Sequence, residues 1–127
     1  MMKLDEGEMP LIAVVDDDED VRSAIYAVLR SDGFLPLAFA SAQEFLRCGK
    51  RSETACLIVD LEMPGMSGLD LQAGLARDGQ RIPIIFVTAY GTERTRTRAM
   101  DAGALDFLEK PFEDDVLLER VRAAVGT

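Results

Sequence analysis

Apolar residues along this chain gather in short continuous runs, and between the runs they recur every three or four positions. The runs "LIAVVD" (11–16), "CLIVD" (56–60), "IPIIFVT" (82–88) and "LDFLEK" (105–110) are rich in Val and Ile. The first three are continuous rather than alternating, the pattern of strands covered on both faces. Between them, Val21, Ala24, Ile25, Val28 and Leu29 mark one face of an amphipathic helix that Gly33 ends. "SAQE" at 41–44 predicts a capping box that opens a second helix carrying Phe45 and Leu46. Ser67 caps a third helix reaching to about Arg77, Thr92 caps a fourth that stops at Gly103, and a fifth runs from about Glu113 to Val125. "GFLPLAFA" predicts one further strand. Pro36 has no N–H to give to a ladder, so this strand belongs at a sheet edge.

Five strands alternating with five helices predict an α/β fold, an open five-stranded parallel sheet between two layers of helices. The doubly wound, flavodoxin-like order 2-1-3-4-5 places the Pro36 strand at an edge, as its chemistry asks. No repeat, low-complexity tract or linker interrupts the pattern. Residues 1–127 are therefore expected to form a single domain, with the acidic residues 1–10 as a flexible N-terminal extension. At 127 residues and 48% hydrophobic, the chain has enough apolar material for one core.

Charge narrows the choice of partner. A formal net charge of −9 argues against nucleic acid or an anionic membrane, either of which asks for a basic patch. A protein or a cation fits better. Leu11 to Val15 is too short a run for a signal peptide or a membrane span. Cys48 and Cys56 stand apart, with no CxxC and no histidine, and read as small core residues of a cytoplasmic protein.

In an open parallel sheet the ligand site lies beyond the carboxyl ends of the strands. The polar residues ending the apolar runs are Asp16 and Asp17, Asp60, Thr88 and Lys110. Alone, each also serves as a cap, a turn residue or a surface amine. Their occurrence together at four strand ends is the informative observation. Three convergent carboxylates repel, and each tends to hold a proton unless a cation sits among them. A hard divalent ion such as Mg²⁺ (or Mn²⁺) suits an all-oxygen set, whereas zinc or copper would want histidines or paired thiolates. Asp18, Glu19 and Asp20 follow directly, where negative charge meets the positive end of a helix dipole.

The blocks "VVDDDEDVR", "LIVDLEMPGMSGLDL", "IIFVTAYG" and "AGALDFLEKPF" together resemble the receiver domain of a two-component response regulator, over essentially the whole chain. "DFLEKPF" and "AFASAQEFL" are similar to receivers that precede a helix-turn-helix output domain in nitrogen-fixation and nitrate-response regulators. The resemblance implies that Asp60 is the phosphoacceptor, taking a phosphoryl group from a sensor histidine kinase. It implies that Asp17, Asp60 and the backbone carbonyl of Glu62 bind Mg²⁺, with Asp16 acting through water. Lys110 and Thr88 would hold phosphoryl oxygens, and Ala89 would keep the pocket accessible. Thr88 and Phe107 match the family's switch pair, the aromatic turning inward as the threonine moves. Glu62 and Tyr90 stand where the family tunes phosphoryl lifetime, and the Lys110–Pro111 bond is expected to be cis. The implied protein is a signalling domain that catalyses its own phosphotransfer and dephosphorylation, with the fourth helix and fifth strand as its output surface.

Two other functions compete. "DLE" at 60–62 faintly suits a small aspartate-dependent phosphohydrolase, but such enzymes want a second Asp in place of Glu62 and substrate-binding insertions. A docking module that needs no phosphorylation is disfavoured by the full set of Asp16, Asp17, Asp60, Thr88 and Lys110. Arg94 and Arg98 lie four residues apart on one helical face of an acidic protein. They are expected to meet Asp106, Glu109 or Asp114 of a second copy in a homodimer that closes on phosphorylation.

Overall fold

A computed structural model describes residues 9–126. Strands β1 (Leu11–Val15), β2 (Leu35–Phe39), β3 (Thr54–Asp60), β4 (Ile84–Thr88) and β5 (Asp106–Glu109) alternate with helices α1 (Glu19–Ser31), α2 (Ala42–Arg47), α3 (Gly68–Arg77), α4 (Glu93–Asp101) and α5 (Asp114–Val125). All strand pairs are parallel, in the order β2-β1-β3-β4-β5, as expected. Pro36 does lie in an edge strand, opposite Ile12. The expected extension falls mostly outside the described residues. At its end, the Pro10 carbonyl accepts from the Leu35 amide at 3.0 Å.

Continuous apolar runs give two cores because successive strand residues point to opposite faces. Ile12, Val14, Cys56, Ile58, Ile85 and Val87 pack with Ile25 and Leu29 of α1 and Leu117, Leu118 and Val121 of α5. Ala13, Val15, Leu57, Val59, Ile84 and Phe86 pack on the other face with Phe45, Leu71, Leu75 and Ala99. Burial pushes the Cys56 thiol up to about 12, against the smaller lowering by its bond with the Leu57 backbone, so it stays a neutral, small apolar group. Each fully buried Leu or Phe contributes roughly 1.5–3 kcal/mol, which makes α4 the weakly held element, since only Ala99 of its nine residues is buried.

Local departures from the sequence pattern have local causes. Ser41 caps α2 through the Glu44 amide, but Glu44 Oε1 reaches Ala40 N at 3.0 Å rather than Ser41 N, so the expected capping box is only half formed. A complete box instead opens α3, between Ser67 and Asp70, and another opens α4, between Thr92 and Thr95. β3 starts two residues earlier than "CLIVD", after a 3₁₀ turn at Arg51–Glu53 that is tied back when Thr54 Oγ1 donates to the Lys50 carbonyl at 2.8 Å.

Candidate functional site

The five acids at 16–20 do different jobs. The Asp16 amide donates to the Phe39 carbonyl at 3.1 Å, one ladder step past β1, which carries Asp16 fully into the interior. Its Oδ1 accepts from Asp18 N at 2.9 Å and turns the chain. Asp18 Oδ1 then caps α1 by accepting from Asp20 N at 2.9 Å and Val21 N at 3.2 Å. Glu19 and Asp20 fill the first helical turn, where the dipole favours negative charge. Asp17 alone is left exposed and directed to the cluster, since Asp16, Asp17 and Asp60 each place a ligand atom within 4.8 Å of the others.

Asp60 ends β3, the central strand, and is only 7% exposed. Its Oδ1 accepts from Glu62 N at 3.1 Å and its Oδ2 from Lys110 Nζ at 3.3 Å, while the same ammonium donates to Asp16 Oδ2 at 3.0 Å. Lys110 follows β5, and the Lys110–Pro111 bond is cis. Gly68 lets α3 begin against this strand end, since a Cβ there would lie 2.6 Å from the Asp60 carbonyl oxygen. Burial, then the neighbouring Asp16 charge, hold the Asp60 carboxyl above its ordinary pKa, outweighing the Glu62 amide and Lys110. Burial favours neutral Lys110, but the hydrogen bond and charge of Asp16, with Asp60, outweigh it and keep the ammonium charged. A cation among these oxygens would relieve the strain on Asp60, and an all-carboxylate set fits Mg²⁺ or Mn²⁺.

Thr88 is fully buried at the end of β4, one residue past Val87, the register partner of Asp60. Its Oγ1 accepts from Tyr90 N at 3.2 Å, which leaves the hydroxyl proton to give elsewhere, and its carbonyl accepts from Lys110 N at 2.8 Å. Phe107 already faces inward at 3% exposure, with its ring centroid 6.3 Å from that of Phe86. Gly91 is packed beneath it, where a Cβ would lie 2.7 Å from Phe107 Cε1 and 3.1 Å from Thr88 Cγ2. Ala89, Glu62 and Tyr90 are exposed at the rim.

Arg94, Arg98, Glu109 and Asp114 are exposed. Asp106 is committed within the chain, to the Arg120 guanidinium and, at 2.7 Å, to the Phe107 amide. Three residues that sequence reasoning did not single out make the joints between elements. Arg22 Nη1 donates to the Asp16 carbonyl at 2.8 Å, Arg96 Nη1 to the Phe107 carbonyl at 3.3 Å, and Gln72 Nε2 to the Ala99 carbonyl at 3.1 Å. Arg96 also stands over the Phe107 ring, 5.8 Å from its centroid. No signal in the sequence marks these, because each acceptor is a main-chain oxygen.

A cavity of about 440 Å³ between α1 and α5 opens beside Lys110 and Ala89, lined by Val21, Ile25, Phe112 and Leu117. Another, about 630 Å³, sits at the opposite, amino ends of β4 and β5 and has no acid in its lining. The chemistry belongs at the carboxyl ends.

A buried carboxylate on the central strand, flanked by two acids from the neighbouring strand end and a lysine from the edge, on a 2-1-3-4-5 sheet, defines a receiver. The chain belongs to the response regulator receiver domain family, whose model matches residues 12–122. It is 46% identical over 114 residues to nodulation protein W of Bradyrhizobium diazoefficiens, covering 90% of this chain and 50% of that protein. It is 44% identical over 115 residues to the response regulator protein TodT of Pseudomonas putida, covering 91% and 51%. The crystal structure of FixJ-N superposes with a TM-score of 0.82 at 37% identity, covering 92% of this chain and 94% of that one. The chain thus spans about half the length of the curated relatives it matches. Among the described residues no helix is long and apolar enough to cross a membrane.

Proposed function

We propose that residues 1–127 act as one phosphoacceptor unit, in which Asp60 takes a phosphoryl group from a sensor histidine kinase in a Mg²⁺-dependent reaction. The supporting observation is the buried Asp60 carboxylate held between Lys110 and the Asp16–Asp17 acids. An Asp60 oxygen attacks phosphorus, the P–N bond to the kinase imidazole breaks, and its electron pair returns to the ring nitrogen. Water later cleaves the acyl phosphate and restores the carboxylate. Asp17, Asp60 and the Glu62 carbonyl would hold Mg²⁺, with Asp16 joined through water, and the ion would neutralise charge on the transferring group. Lys110 and Thr88 bind phosphoryl oxygens, and Glu62 and Tyr90 at the rim set how readily water enters.

Thr88 and Phe107 then shift the α4–β5 surface, which controls a helix-turn-helix output domain or a partner in the cytoplasm. Exposed Arg94 and Arg98, with Glu109, would join two phosphorylated copies. The test is mass spectrometry after treatment with acetyl phosphate and Mg²⁺. One labile phosphoryl group on the wild type and none on Asp60→Asn is expected. Steady turnover of free phosphate esters would instead identify a phosphohydrolase.

A further inference from the structure

The Arg22 guanidinium reaches the acid-rich turn, where it bonds to main chain rather than to a carboxylate. It stands in the first half of α1, half-buried, with its own amide bonded to the Asp18 carbonyl at 3.0 Å. Its Nη1 meets the Asp16 carbonyl at 2.8 Å. That carbonyl belongs to the peptide joining Asp16 to Asp17. The turn is pinned on three sides: Asp16 N on Phe39 O, Asp18 N on Asp16 Oδ1, and Asp16 O under Arg22. Asp17 is the exposed member of the three-acid cluster, and none of these bonds uses its own carboxylate. Its direction therefore follows the peptide that Arg22 holds.

We infer that Arg22 is a positioning residue that fixes the Asp16–Asp17 peptide so that the Asp17 carboxylate faces Asp60 in a geometry ready for a divalent cation. The inference rests on the phosphoacceptor reading above. It has a distinctive sign. A cation beside three acids, acting through its charge alone, repels Mg²⁺, and its removal should tighten Mg²⁺ binding. A guanidinium acting by orientation gives the reverse, because loss of a group that supports metal ligands weakens affinity by about tenfold.

The experiment is calorimetric titration of the whole chain with Mg²⁺ alone, for the wild type, Arg22→Met and Arg22→Gln, at fixed ionic strength. Arg22→Met should bind about tenfold more weakly. Arg22→Gln, which keeps a neutral donor, should lie between the two and gives the reading if the Met variant does not fold. Unchanged or tighter binding in Arg22→Met, or tighter binding in Arg22→Gln, overturns the inference. A wild type that binds no Mg²⁺ and takes no phosphoryl group on Asp60 overturns the phosphoacceptor reading instead, so the two failures are separable.

Discussion

Replacing Asp60 by Asn tests whether the acids are crowded. With an effective dielectric of about 20, like charges at the 4.8 Å cluster limit repel by about 3.5 kcal/mol, so Asp16 and Asp60 repel by at least about that much. Opposite charges 3.3 Å apart, as Asp60 and Lys110 are, attract by about 5 kcal/mol on the same scale. Exposed Asp17 adds a smaller, solvent-screened repulsion. Attraction and repulsion nearly cancel, which leaves burial of the carboxylate to decide the sign. The Asn variant should therefore be more stable than the metal-free wild type at neutral pH, by about 1 kcal/mol. For a domain of this size that is about 3–5 °C in melting temperature.

The pH dependence follows from the raised Asp60 pKa. A carboxyl whose folded pKa lies above its unfolded value contributes stability below the unfolded pKa and loses it as pH rises through the folded one. The advantage of Asn is thus full above the raised pKa and fades as pH falls through it towards the ordinary carboxylate range. Mg²⁺ at about 100 times its dissociation constant adds about 2.7 kcal/mol to the wild type and less to the variant, which inverts the order. Thermal melts with and without Mg²⁺ read both effects. An Asn variant that melts lower without Mg²⁺, or an order that Mg²⁺ leaves unchanged, would refute the reasoning.

Gly91→Ala should push the Phe107 ring and cost about 1–3 kcal/mol in urea unfolding, because its Cβ would lie 2.7 Å from that ring; unchanged stability would mean that the contact yields freely. One hydrogen bond to a charged partner contributes about 1.5–3 kcal/mol, whereas reversing a 1:99 equilibrium takes about 5.5, so Thr88 cannot carry the switch alone. Thr88→Ala should still take the phosphoryl group but show a weaker hydrogen-exchange response in α4 to beryllium fluoride and Mg²⁺, and a full response would remove Thr88 from the mechanism. Sedimentation should find weak self-association at rest, stronger association with beryllium fluoride and Mg²⁺, and loss of it in Arg94→Glu or added salt. A protein that stays monomeric with the mimic bound contradicts the dimer alone.

Legibility in the sequence followed the range of the interaction. β1, β3 and β4 could be read because buried parallel strands leave no polar face, and Pro36 located the edge through one missing N–H. The acid cluster could be read because strand ends in such a sheet converge, whatever the intervening residues. Glu44 could not be assigned its true acceptor, since Ala40 N and Ser41 N are adjacent and only the angle of entry into α2 separates them. Asp106 offered itself as an interface acid because nothing local shows that α5 brings Arg120 against β5. Arg22, Arg96 and Gln72 stayed silent because side-chain bonds to main-chain oxygens, near or far along the chain, leave no pattern of residue types.

The central claim is that a single buried carboxylate, Asp60, carries the phosphoryl group. Reduction with borohydride converts an aspartyl phosphate into homoserine and leaves free carboxylates untouched, so peptide mass spectrometry can report the residue itself. After acetyl phosphate and Mg²⁺, homoserine should appear at position 60 and nowhere else, and should vanish when Mg²⁺ is chelated. Homoserine at Asp16, Asp17 or any other acid, or none at position 60 while the protein gains phosphoryl mass, would contradict the account.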